Sequence, residues 1–324
     1  MRTVDALEVQ VLVDNATDPL STNPEGVQSE LAGLLHAGMT VWSGEAICCP
    51  HHGLSLVLTA RAGSTAHTIL FDTGPEGYAV ERNGNRLGTA FGAIESVVLS
   101  HGHWDHAGGL LKAFDLIRMQ NEGAEIPLYL HPGMFRSRGL RISTGDVVPF
   151  KDIPTIPALS ERGAAVVCTA EPQHLLDGFF YLSGEIPRVT PYEQGLPNHV
   201  WRTSEDSEWQ PDPWIMDERF VAVNVRNKGV VVFTACSHAG VVNVLTHARA
   251  IFPDMPIFAV MGGFHLSGPG PEKIIPDTVR DLARFGLRMI APGHCTGWRA
   301  VAALFNAFGE NVVVPSAVGK RYTF

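Results

Sequence analysis

The sequence predicts an α/β protein, and three observations predict it. Segments rich in β-branched residues recur through both halves, segments of helical periodicity lie between them, and polar, histidine-bearing turns follow several of the strands. The strands read as Leu7 to Val13, Leu54 to Thr59, Thr68 to Phe71, Val97 to Leu99, Phe220 to Val225, Val230 to Thr234 and Ile257 to Val260. Helical spacing predicts Gly109 to Met119, Val241 to Ile251, Pro276 to Phe285 and Gly297 to Phe308. From about His131 to Trp214 the chain is rich in proline, glycine and aromatic residues, with short candidate strands only near Val166 and Phe179. One domain over 1–324 is expected, with a lid or pocket wall at about 131–215; a surface insertion without a role is the other reading of that span.

Composition narrows the function classes. Hydrophobic residues at 45% and charged residues at 18% supply a sizeable core and exclude a largely disordered chain. A net charge of -9 argues against a protein that binds nucleic acid by neutralising phosphates. No apolar run reaches signal-peptide or membrane-span length, so a cytoplasmic enzyme acting on a small molecule is expected, with no membrane partner; the oligomeric state is left open. The five cysteines, Cys48, Cys49, Cys168, Cys236 and Cys295, are an odd number spread over a long chain, which fits reduced thiols better than a disulfide framework.

The chemistry concentrates in three turns. Directly after the strand ending at Leu99, His101, His103, Asp105 and His106 form H-x-H-x-D-H, followed by Ala107, Gly108, Gly109 and Leu110. Imidazole nitrogen and carboxylate oxygen are the ligands that borderline divalent ions accept, and a strand-to-helix turn can aim them at neighbouring ions. Two further turns carry Cys236-Ser237-His238 and His294-Cys295-Thr296, each between a strand and a helix, which places all three on one sheet edge.

H-x-H-x-D-H followed by Ala-Gly-Gly-Leu, with Leu70-Phe71-Asp72-Thr73-Gly74 upstream, resembles the signature of the metallo-β-lactamase superfamily. Ser183 to Arg188, Ala235 to Gly240, Gly262 to Leu266 and Gly293 to Gly297 further resemble its branch of dihydropterin-ribofuranosylaminobenzene-5'-phosphate synthase-like metal-dependent hydrolases. The resemblance implies an αββα sandwich: two mixed sheets flanked by helices. It implies that His101 and His103 hold a first metal, completed by His238, and that Asp105, His106 and His294 hold a second, with Asp105 also catalytic. Asp72 would accept the other ring proton of a ligand histidine, or else be an ordinary turn aspartate.

One position departs from the superfamily pattern: Cys236 stands where a metal-bridging aspartate is common. A bridging or terminal thiolate and an inert buried thiol are both open. His265, after the strand Ile257 to Val260, is a substrate or metal contact or a packed histidine, and Arg188 is either an anchor for a phosphate or carboxylate or a surface ion pair. His51 and His52, beside Cys48 and Cys49, read as a surface loop, and His131, His174, His199 and His247 belong to no constellation, with His131-Pro132 alone a candidate for the pocket border.

One or two divalent ions are expected, zinc first, with manganese or iron as alternatives. The expected activity is hydrolysis of a small, phosphorylated or pterin-like molecule by metal-activated water. The alternatives are a transferase of the synthase type and a non-catalytic metal-binding or sensor protein. No Gly-x-Ser-x-Gly elbow and no P-loop or dinucleotide fingerprint occurs at the predicted turns.

Overall fold

Strand Gly229–Thr234 is buried along its length and its side chains divide by parity: Val231 and Phe233 enter one core, Val230 and Val232 another. A strand covered on both faces has this pattern, and it explains why the segment reads as an unbroken apolar run. The computed structural model, which describes residues 1–324, extends the pattern to two sheets packed face to face.

The first sheet has the order Gln173–Leu175, Phe180–Leu182, Val221–Val225, Gly229–Thr234, Ile257–Gly263, Met289–Gly293, with Thr3–Val4 parallel to Val221–Val225. The second runs Ala164–Cys168, Ile126–Leu130, Ser96–Val98, Thr65–Phe71, Ser55–Ala62, Ala6–Val13, Arg321–Thr323, Val27–Gln28. Leu7, Val9, Leu56, Leu58, Ile69 and Phe71 from the second sheet meet Val221, Val231, Phe233 and Met261 from the first in the central core. Helices Gly77–Leu87 and Leu110–Gln120 cover the outer face of the second sheet, and Val241–Ile251, Ile275–Leu282 and Trp298–Phe308 cover that of the first. The layers are therefore helix, sheet, sheet, helix.

Both sheets are mixed, and their parallel parts position the site. Thr65–Phe71, Ser96–Val98, Ile126–Leu130 and Ala164–Cys168 are mutually parallel, as are Gly229–Thr234, Ile257–Gly263 and Met289–Gly293. The loops that follow parallel strands leave from the same edge, where open α/β sheets collect ligands.

The span expected to be irregular is divided in three. It gives Ala164–Cys168 to one large sheet and Gln173–Leu175 with Phe180–Leu182 to the other, and four more short strands form a small antiparallel sheet in the order Gln210–Pro211, His199–Arg202, Ser137–Arg141, Val147–Pro149. Strands this short, paired across some 60 residues of chain, leave too little periodicity to read. No helix is long and apolar enough to cross a membrane.

Candidate metal centre

His101, His103, Asp105 and His106 lie on the loop after Ser96–Val98 and on the short helix Trp104–Ala107, which begins with His103 as its N-cap. The turn that follows packs against the neighbouring loop so closely that a Cβ at Gly108 would lie 1.8 Å from the Pro75 carbonyl oxygen, and one at Gly109 2.1 Å from that of Thr73. Glycine is required there by close approach rather than by an unusual φ. Cys236, Ser237 and His238 follow Gly229–Thr234, His265 follows Ile257–Gly263, and His294 with Cys295 follows Met289–Gly293. Asp72, Ser237, His265 and His294 all have positive φ, from 44° to 58°, although none is glycine. Such strain gathers where side chains are held for function.

The donor atoms converge. Asp105 Oδ2 lies 3.6 Å from His106 Nε2 and 3.4 Å from His294 Nε2. Cys236 Sγ is 3.3 Å from His106 Nε2, and His101 Nε2 is 3.2 Å from His238 Nε2. Asp105, His106, Cys236 and His294 form one potential ligand group, His101, Cys236 and His238 a second, and Cys236, His265 and Cys295 a third. Cys236 belongs to all three. The His103 ring packs 4.6 Å from that of His101 and 4.8 Å from that of His238, and its Nε2 is buried with no partner.

These separations fit metal ligation. In a tetrahedral zinc site with bonds of about 2.0–2.1 Å to nitrogen or oxygen, ligand atoms stand about 3.3–3.4 Å apart, and about 3.6 Å when one is sulfur. Burial, then crowding by neighbouring imidazoles, holds His101, His103 and His238 well below the ordinary histidine range, which leaves them neutral with lone pairs free. Burial alone would raise the Asp105 carboxyl, but His106 and His294 hold it well below the usual carboxylate range. Three neutral imidazoles and an ionised carboxylate are donors a divalent cation takes, whereas His294, which burial would push down, is raised to about 10 by Cys295 and Asp105 and gives up a proton when it ligates.

For His101, His106 and His294 the ring nitrogens turned away from the centre are also engaged, whereas His238 Nδ1 is buried without a partner. Asp72 Oδ2 is 2.7 Å from His106 Nδ1 and accepts from Ser100 Oγ at 2.7 Å, and Ser100 Oγ is 2.8 Å from His101 Nδ1. One carboxylate thus fixes two imidazoles, one directly and one through a hydroxyl. Asn15 Oδ1 lies 3.0 Å from His294 Nδ1, and Asp14 Oδ1 accepts from the His294 backbone N–H at 2.8 Å. Each contact to a ring Nδ1 fixes a tautomer that leaves Nε2 free toward the centre, and the Asp14 contact holds the His294 backbone.

Three consecutive residues fasten the loops to one another. Asp217 Oδ2 accepts from Gly102 N at 2.8 Å, the Glu218 carboxylate accepts from His238 N at 2.8 Å and Ala239 N at 2.7 Å, and Arg219 N donates to Ser100 O at 2.9 Å. Arg138, from the small sheet, is buried and pairs with both Asp212 and Asp217. Nothing in the sequence singles these residues out, because charges in a loop-rich segment read as solvated.

A cavity of about 370 Å³ opens over the centre, lined among others by His103, Asp105, Cys236, His294 and Cys295. His199 and His52 line it too, contrary to expectation. His199 begins strand His199–Arg202 and packs 5.2 Å from the His103 ring; His52, more than half exposed, places Nε2 3.5 Å from Asp105 Oδ2. A second cavity of about 210 Å³ shares His238 and His265 with the first. Arg188, expected at the substrate, lines neither: its guanidinium is turned onto the carbonyls of Ile186, Trp214 and Ile215, where it staples two loops.

Comparison with known proteins agrees with this architecture. Residues 51–163 match the model of the metallo-beta-lactamase superfamily. A 7,8-dihydropterin-6-methyl-4-(beta-D-ribofuranosyl)-aminobenzene-5'-phosphate synthase of Methanocaldococcus jannaschii is 29% identical over 266 residues, covering 80% of this chain and 86% of that protein. The crystal structure of a metal-dependent hydrolase of the beta-lactamase superfamily superposes with a TM-score of 0.69 at 21% identity, over 97% of this chain and 98% of the other. A metallo-beta-lactamase fold protein from Bacillus subtilis gives 0.53 at 11% identity, over 99% and 100%.

Proposed function

We propose that the chain, whose residues 51–163 match the metallo-β-lactamase superfamily and whose fold is shared with a structure of that superfamily, is a metal-dependent hydrolase of a small molecule, using two divalent cations, zinc first among them. The observation that carries the reading is the convergence of Asp105, His106 and His294 on one side, and of His101 and His238 on the other, around the Cys236 sulfur beneath an open cavity. His103, with its partnerless Nε2, joins the second group. Bound there, the cations would supply a water made acidic enough to be deprotonated near neutral pH, and would withdraw charge from an ester, amide or phosphate oxygen.

The chain's own groups position and move protons. Asp105, kept ionised, is placed to take a proton from water, and His52 at the mouth stands 3.5 Å away on the route to solvent. His199 and His265 stand in the cavity wall beside the reacting group. Asp72, Asn15 and Glu218 hold the ligand loops rigid while this occurs.

A second reading, group transfer to an acceptor other than water, is favoured by one observation: the relative at 29% identity is named as a synthase. Metal content per chain, on wild type and on His103→Ala and Asp105→Ala, tests the shared premise. About two equivalents in wild type and fewer in each variant support it; no metal after reconstitution sinks it. Turnover with water alone separates hydrolase from transferase, and stoichiometric metal without turnover on esters, lactones or phosphoesters favours a binding protein.

A further inference from the structure

The smaller cavity lies between the segment 192–197 and the segment 264–274, and it meets the metal-side cavity at His238 and His265. Its walls include Leu196, Pro197, Phe264, Leu266 and Ile274. Its polar side chains are spoken for. Tyr192 donates its hydroxyl to Asp281 at 2.8 Å, and Ser237 donates to Gly263 O at 2.8 Å. The Gln194 amide turns back to Pro191 O at 2.7 Å. Glu193 uses one oxygen on Val242 N at 2.9 Å and the other on Asn243 N at 2.8 Å and Thr190 Oγ1 at 2.9 Å.

No lysine or arginine lines either cavity. An anionic group placed in the smaller one would lose its water and find no cationic side chain and, beyond the exposed Gln194 amide, no side-chain donor to spare except the two histidines at its metal end. An uncharged apolar group loses nothing there. An apolar cavity of roughly 150 Å³ accepts a benzene, so 210 Å³ has room for a ring with a short substituent. His265 stands at the junction, held at φ 44° with its Nδ1 buried and without a partner.

We propose that this cavity is the specificity slot of the enzyme, taking an uncharged aryl or short acyl group whose ester, amide or lactone carbonyl lies beside His265 at the metal centre. This rests on the metal-dependent reading above and narrows it: a phosphate, where the substrate has one, stays on the metal side or outside and does not enter the slot.

The test uses metal-loaded full-length protein and three hydroxamates, whose common head chelates divalent metal, with binding read by calorimetry. Benzohydroxamate is expected to bind about ten-fold or more tightly than acetohydroxamate. 4-Carboxybenzohydroxamate is expected to lose that gain, as is benzohydroxamate itself on Leu196→Asp or Ile274→Asp, each checked for fold by circular dichroism. Equal affinity of the first two compounds, or a gain retained by the carboxylated one, overturns the slot. Failure of all three heads to bind sinks the metal reading instead. The slot is then decided by ¹⁹F NMR of 4-fluorobenzyl alcohol on metal-free protein, where saturable binding lost in Leu196→Asp supports it and no binding removes it.

Discussion

Cys236 and Cys295 hold their sulfurs 3.5 Å apart at the base of the centre. A disulfide needs about 2.0 Å, whereas two thiolates on one tetrahedral zinc stand about 3.8 Å apart, so the pair has the spacing of ligands. Cys236 belongs to all three ligand groups and Cys295 to one. Cys236→Ser is therefore expected to lower metal content more than Cys295→Ser does. Elemental analysis reads this, and in cobalt-substituted protein the sulfur-to-cobalt absorption should fall with it. Equal losses in the two variants would remove the shared role of Cys236.

Asp72 fixes His106 directly and His101 through Ser100. Asp72→Asn replaces one carboxylate oxygen with a donor and breaks at least one of these contacts. Metal affinity or activity should drop by about 10–100-fold, more than in Asn15→Ala, which frees one ligand histidine, His294, along with Gly53 N and His52. Competition with a chelator of known affinity measures both.

Glu218 is buried and accepts two backbone N–H groups of the His238 loop. Glu218→Ala strands both donors, and at about 1–3 kcal/mol each it should destabilise the protein by roughly 2–6 kcal/mol. Urea unfolding measures this. A loss below about 0.5 kcal/mol would mean that the strut carries no load.

Glu193 caps the start of helix Val241–Ile251, and burial pushes its carboxyl up to about 7 despite the N–H groups that bind it. A carboxyl raised on folding favours the fold in its protonated form. Its contribution is full below the unfolded value of 4.5 and is lost as pH rises through about 7. Measured as the difference in unfolding midpoint between wild type and Glu193→Gln, wild type should lose ground steadily between those limits. A flat difference would show that the buried carboxyl is no harder to ionise than a free one.

The parts of this architecture that can be read from sequence are those where neighbours in the chain are also neighbours in space. Val230 to Thr234 announces a covered strand by its unbroken apolar run, and His101 to His106 announces a ligand turn because four donors fall within six residues. Helix Gly77–Leu87 is silent, since Asn83, Gly84 and Asn85 are poor helix formers; tertiary contacts hold it, with Asn83 bonded to Leu12 and Cys49. His199 and His52 are isolated in sequence and reach the cavity only because a remote sheet and a loop carry them there. Arg188 misleads for the complementary reason: its donors suit an anion, yet backbone carbonyls lie closer.

Asp14 and Asn15 leave the strand Ala6–Val13 to grip His294, some 280 residues further along the chain. Closing so long a loop costs entropy that only the docked sheets repay, so the His294 ligand group has no counterpart in a half-folded chain. Cation capture would then be among the last events of folding, and a cation held by both Asp105 and His294 would latch a second loop of some 190 residues inside the one that Asp14 and Asn15 close. Its release and the loss of the fold should coincide along a denaturant series, rather than the ion escaping first from an intact shell.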